Sequence, residues 1–210
     1  MKDKPSEWIV IADLMSGVVA VVMLMLVVSL VQKQAAEQRL SEGADAQQQQ
    51  IRTVLGQMEA AFQQEGAARY VAIDKAAGKV TLLEHAFRSG SACIEPAAKA
   101  AFAQVQDRIA AYLVEFQAGQ IYVEGHTDDQ KVKGPVTDLR NFCTVYDDNF
   151  TLSAARAREA RLLLIGHTGA EAAKRVVVAG FGDSHPLPGL SPSNERNRRV
   201  ELRFVNGAGH

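Results

Sequence analysis

Asp13 is the first residue whose type and setting point to chemistry. It is the only charge between Trp8 and Val31, in the run WIVIADLMSGVVAVVMLMLVVSLV. A carboxylate inside a membrane helix costs roughly 2.5–3.5 kcal/mol on insertion scales. Desolvation also raises its proton affinity, which suits a group that binds and releases an ion. The competing reading is positional: Asp13 lies little more than one turn inside Trp8, so it can reach the headgroups. Other reactive types form no constellation. Cys93 and Cys143 make no CxxC pair, and His85, His126, His167, His185 and His210 have no metal-ligand spacing with them. Gly180-Phe181-Gly182 lacks the helix opening a phosphate loop needs, and no nucleophile has a visible base. No enzyme activity, cofactor or bound metal is expected.

The elements that must position these residues follow from composition and periodicity. The chain has 210 residues, 23 Lys+Arg against 24 Asp+Glu, and 47% hydrophobic residues. A net charge of -1 gives no reason to expect nucleic-acid binding, and the hydrophobic content excludes wholesale disorder. Residues 8–32 read as a transmembrane helix. The run from Trp8 to Val31 would span roughly 36 Å at 1.5 Å per residue, against a hydrocarbon core of about 30 Å. The apolar core of a signal peptide is shorter, at about 7–15 residues. Lys2 and Lys4 precede the helix, so residues 1–7 are expected in the cytoplasm and the rest of the chain outside it.

Residues 33–69 read as a helical linker or stalk. Ile51, Val54, Leu55, Met58 and Phe62 recur at helical spacing, a narrow seam suited to a partner helix in a dimer. From residue 70 to 210 the texture becomes short β-rich runs alternating with helices. Strands are expected at 70–73, 79–83, 121–124, 175–179 and 200–205, and helices at 96–116 and 152–165. That order predicts an α+β domain, a βαβαβ-type sandwich with helices on one face of a small mixed sheet.

Two stretches carry resemblances. Trp8-x-x-x-Ala12-Asp13-Leu14-Met15-Ser16-Gly17, followed by Val, Met and Leu, resembles the single membrane helix of MotB-type stator subunits. Leu14 and Ser16 stand where that family usually has an aromatic residue and Thr. The resemblance implies that Asp13 carries the translocated ion, a proton or sodium, with protons better suited to a lone carboxylate in an apolar helix. It also implies a homodimer within a ring of five MotA-like multi-span subunits in the bacterial inner membrane. The short N-terminus and aliphatic helix look more like the stator-like subunits of Zorya anti-phage systems than flagellar ones. The passive alternative is a membrane-to-wall anchor that moves no ions.

Val123 to Asp128 (VEGHTD), Asn149 to Ala157 (NFTLSAARA), Val178 to Gly182 (VAGFG) and Asn197 to Leu202 (NRRVEL) resemble OmpA-like peptidoglycan-binding domains, in the family's order. Phe87 to Ala92 resembles the end of the family's first strand. The implied ligand is the diaminopimelate of a peptidoglycan stem peptide. Its zwitterionic end needs an anion and a cation: Asp128 for the ammonium, Arg156 as a planar fork for the carboxylate, with backbone N–H groups of the helix start beside it. Asn149, Leu152 and Ser153 belong to the same site as loop- and helix-shaping residues. Arg198 and Arg199 are expected to be structural. The chain departs from the family by inserting 129–148 where a short loop is usual. Cys93 and Cys143 would lie at one end of that fold, where an oxidising periplasm allows them to pair.

Overall fold

A computed structural model describes residues 7–64, 69–117 and 119–205. The expected Lys2 and Lys4 flank and His210 fall outside them. The chain divides into two units, 1–47 and 48–210. Helix α1 spans Glu7–Gln64. Within the first unit, 11–39 is long and apolar enough to cross a membrane, and the side chains from Ile11 to Val31 are exposed. Asp13 is among them, with the Ser16 hydroxyl donating to its backbone carbonyl at 2.8 Å.

The second unit is the expected α+β arrangement. Strands β1 (Val71–Asp74), β2 (Lys79–Leu82), β3 (Gln120–His126), β4 (Val176–Gly180) and β5 (Arg199–Val205) form one sheet in the order β1-β2-β5-β3-β4. Only β3 and β4 run parallel. The β1–β2 turn closes because the Asp74 carboxylate accepts from the amides of Ala76 and Ala77, and Gly78 takes φ +64°. Alternation does the sorting. Val80, Leu82, Ile121, Val123, Val200, Leu202 and Phe204 face the core. Helix α2 (Pro96–Glu115) starts on Pro96, whose missing N–H would be unpaired there anyway. It buries Ala98, Phe102, Ile109 and Leu113 on the same side.

Two glycines set the height of helix α4 (Asn149–Leu164) above the sheet. Gly125 and Gly180 are register partners on β3 and β4. A Cβ on Gly125 would stand 1.9 Å from the Ser153 carbonyl oxygen, and one on Gly180 2.6 Å from the Ala154 Cβ. Without side chains, the helix backbone rests directly on the strand ends. The Ser153 hydroxyl locks that contact, donating to Phe150 O and accepting from Gly182 N, each at 2.9 Å.

Two local expectations change. Ile51, Leu55, Met58 and Phe62 are buried in this domain's own core, with Phe62 packing on Phe102 at 5.7 Å between ring centroids. The apolar seam is therefore used within the chain rather than presented to a dimer partner. Phe87 to Ala92 forms no strand; Phe87 bridges Ile94 around a tight turn. Pairing in the sheet is supplied instead by the hairpin before it.

The inserted segment 129–148 is built into the fold. Its short helix α3 (Leu139–Phe142) is capped by Asp138, and Val136 bridges Tyr146. Phe142 O accepts from Ala92 N and the Ser91 hydroxyl, each at 3.0 Å. A disulfide joins Cys93 to Cys143 across a sequence separation of 50. Closing a loop of that length contributes about 4 kcal/mol in the chain-entropy model.

Candidate functional site

A cleft of 420 Å³ opens where the C-terminal end of β3, the start of α4, the 88–93 turn and the inserted segment meet. Asp128 and Arg156 both line it and both are buried, 5% and 3% exposed. They do not pair with each other. The Asp128 carboxylate accepts from Arg198 Nη1 at 2.5 Å, and Arg198 also holds Glu84 at 2.5 Å. One guanidinium thus compensates two carboxylates, and this corner of the cleft keeps a net negative charge.

Arg156 is the counterpart. Its Nε donates to Ser91 O at 2.9 Å, and its guanidinium lies 5.4 Å from the centre of the Phe87 ring. Among the described residues no carboxylate is within ion-pair distance of it. Burial lowers its pKa to about 10, still far above neutral, so the buried cation keeps its charge. A buried cation without an anion is costly unless something supplies one. A ligand carboxylate would do so, through paired N–H donors.

The remaining residues divide by role. Asn149 lines the cleft while its amide donates to Asp128 O at 3.2 Å and Gln130 O at 3.0 Å, fixing the loop after β3. Leu152 is a buried apolar wall. Ser153 turns toward Gly182 and is not part of the cleft lining. The helix start does not supply the expected N–H groups beside Arg156. Asp148 caps it, accepting from Thr151 N at 2.6 Å, and Arg156 sits two turns further on.

Arg198 is the main addition. Sequence placed it with Arg199 as structural, yet it lines the cleft and orients Asp128. Arg198 ends the short turn Glu195–Asn197 just before β5, whereas Arg199 opens the strand and pairs with Glu201 on the other face. Glu84, Tyr146 and the inserted Lys131 and Lys133 also line the cleft, and no motif had marked them.

The match to known proteins is decided over this same region. Residues 86–199, more than half of the chain, match the OmpA family. The chain belongs to the OmpA family. Among solved structures, the OmpA-family domain is similar to a MotB-like protein from Desulfovibrio vulgaris, at 23% identity and TM-score 0.54, over 76% of this chain and 96% of that one. It is also similar to the cell wall anchor of the T6SS from Pseudomonas aeruginosa, at 29% identity and TM-score 0.51, over 71% of this chain and 96% of that one. No curated protein sequence matches the chain.

On the other face of the sheet the OmpA-family domain buries a second polar group. Glu124, His126 and Glu201 converge with ligand-type atoms within 4.8 Å of one another. Glu201 is held by Arg199 at 2.6 Å and Lys79 at 3.2 Å, and Glu124 by Arg203. Three cations already compensate the two carboxylates, so a metal ion would meet net positive charge. His126 stacks on Phe181 at 5.4 Å, with neither ring nitrogen hydrogen-bonded.

Burial, reinforced by the Arg199 guanidinium, lowers the His126 pKa to about 4 from 6.5. Between those values the unfolded chain binds a proton that the folded one refuses. Stability is therefore complete above about pH 6.5, falls as pH drops toward 4, and loses about 2 kcal/mol after solvent screening is allowed for. His126→Phe forfeits no hydrogen bond and should flatten that acid limb. Urea midpoints followed by circular dichroism across pH 4–8 test this. An unchanged slope in the variant would assign the loss to other groups.

Proposed function

We propose that this chain is a single-pass inner-membrane protein whose C-terminal domain grips peptidoglycan and whose helix serves ion translocation at Asp13. One observation carries the wall-binding part. A buried, charged Arg156 with no ion-pair partner among the described residues lines the same cleft as an Asp128 carboxylate of net negative setting. That polarity fits the ammonium and carboxylate at the free end of diaminopimelate. It is a binding site rather than a catalytic one. The domain lies on the periplasmic side, with the N-terminus in the cytoplasm.

The ion-driven part rests on Asp13 as the sole charge of the apolar run and on its MotB-type surroundings. Two copies would sit inside a ring of five MotA-like multi-span subunits. In a Zorya-type setting the complex would respond to envelope disturbance during phage entry; in a flagellar setting it would drive rotation. The similarity to a type VI cell wall anchor favours a second reading, in which the chain is a passive tether.

The wall-binding reading is tested by co-sedimenting the detergent-solubilised full chain with purified sacculi. Diaminopimelate-type sacculi should carry the protein down. Sacculi with lysine in that position lack the carboxylate that Arg156 would take, and should leave it in solution. Equal sedimentation with both would reject the site.

A further inference from the structure

The cleft has more positive charge than a diaminopimelate end requires. Glu84, Asp128 and Arg198 together leave one negative charge, which an ammonium satisfies. Arg156 takes one carboxylate. Lys131 and Lys133, both exposed on the inserted segment, line the same cleft and form no ion pair among the described residues. Two cations are therefore left over. The stem peptide has matching groups, since the D-glutamate before diaminopimelate carries a free α-carboxylate unless it is amidated.

We propose that the inserted segment is a specificity wall, in which Lys131 and Lys133 recognise a second free carboxylate of the stem peptide, that of D-glutamate. This rests on the wall-binding reading and adds to it a choice between free-acid and amidated peptidoglycan. The wall is held at both ends of the lysine pair. Gln130 O is bound by Asn149, and Val136 exchanges backbone hydrogen bonds with Tyr146. The Tyr146 hydroxyl reaches Gly90 O, and the disulfide fastens Cys143 to the 88–93 turn whose Ser91 carbonyl supports Arg156. The lysines are thus placed by the same framework that places the primary cation. Lys131 also borders a hollow with Asp147, Asp148 and Asp183, so the larger share of the effect belongs to Lys133.

The experiment titrates the full-length chain in detergent with two synthetic tripeptides, L-Ala–γ-D-Glu–meso-diaminopimelate and its D-isoglutamine counterpart. Exposed charge pairs are modest, so the parent should prefer the free acid by about five- to tenfold at low salt. Lys131→Ala/Lys133→Ala should bring that ratio close to one while keeping the parent's affinity for the amidated peptide. Equal binding of both peptides by the parent, or an undiminished preference in the variant, overturns the specificity wall alone. Failure of the parent to bind either peptide overturns the wall-binding reading and this inference with it.

Discussion

Asp13→Asn is expected to abolish ion-coupled activity while leaving the chain in the membrane and its wall domain folded. Asn matches the size and polarity of Asp but cannot exchange a proton, so the change separates titration from packing. At 1.5 Å per residue the carboxylate lies roughly 7–8 Å along the helix from Trp8. Asn is cheaper to bury there, so assembly with a multi-span partner should survive. A driving force of roughly 2.3 kcal/mol per elementary charge per 100 mV is available only if charge crosses. Asp13→Glu should keep partial activity at most, because its longer arm displaces the carboxyl group. Proton flux in proteoliposomes holding the copurified complex is the readout, beside phage protection or motility in cells. A variant that assembles and conducts like the parent would leave the passive tether as the better reading.

Arg156→Ala should remove most wall affinity without unfolding the domain. Loss of a buried charge-assisted contact to a ligand carboxylate costs roughly 2–5 kcal/mol, a decrease in affinity of about 30- to several-thousand-fold. The effect on folding is far smaller. Among the described residues Arg156 makes one hydrogen bond, to Ser91 O, worth about 1 kcal/mol, and its removal strands no carboxylate there. Arg156→Lys keeps the charge but loses the planar fork, and should recover only part of the affinity. Asp128→Ala should weaken binding from the ammonium side, with Arg198 still held by Glu84. Sedimentation with sacculi, with circular dichroism as the folding control, separates these outcomes. Wild-type retention by Arg156→Ala would move the site elsewhere.

Much of the domain was legible because its strands alternate cleanly. Val80 and Leu82, Ile121 and Val123, and Val200 and Leu202 mark one face, and the structure buries them. The helices followed from Pro96 and from the apolar spacing after it. The destination of a face was not legible. The stripe at Ile51, Leu55, Met58 and Phe62 shows that one side must be covered, but periodicity cannot say whether the cover is a partner or the chain's own α2 and sheet. Arg198 and Arg199 show the same limit: Arg199 opens β5 and Arg198 ends the turn before it, so which arginine reaches the cleft depends on where the strand begins. The motifs that single out Asp128 and Arg156 did not show their separate partners, because Arg198 and Ser91 come from remote segments. The inserted segment has neither hydrophobic period nor family pattern. Its role as a wall emerges only from its contacts with Gly90, Ser91 and Ala92.

The central claim is that Asp128 and Arg156 together hold the zwitterionic end of diaminopimelate. Titration calorimetry of the full-length chain with the free-acid stem tripeptide, parent against Asp128→Ala/Arg156→Ala, addresses it most directly. The parent should give a saturable isotherm with one site per chain, and the double variant, still folded, should give none. A double variant that binds the peptide with the parent's Kd would contradict the account.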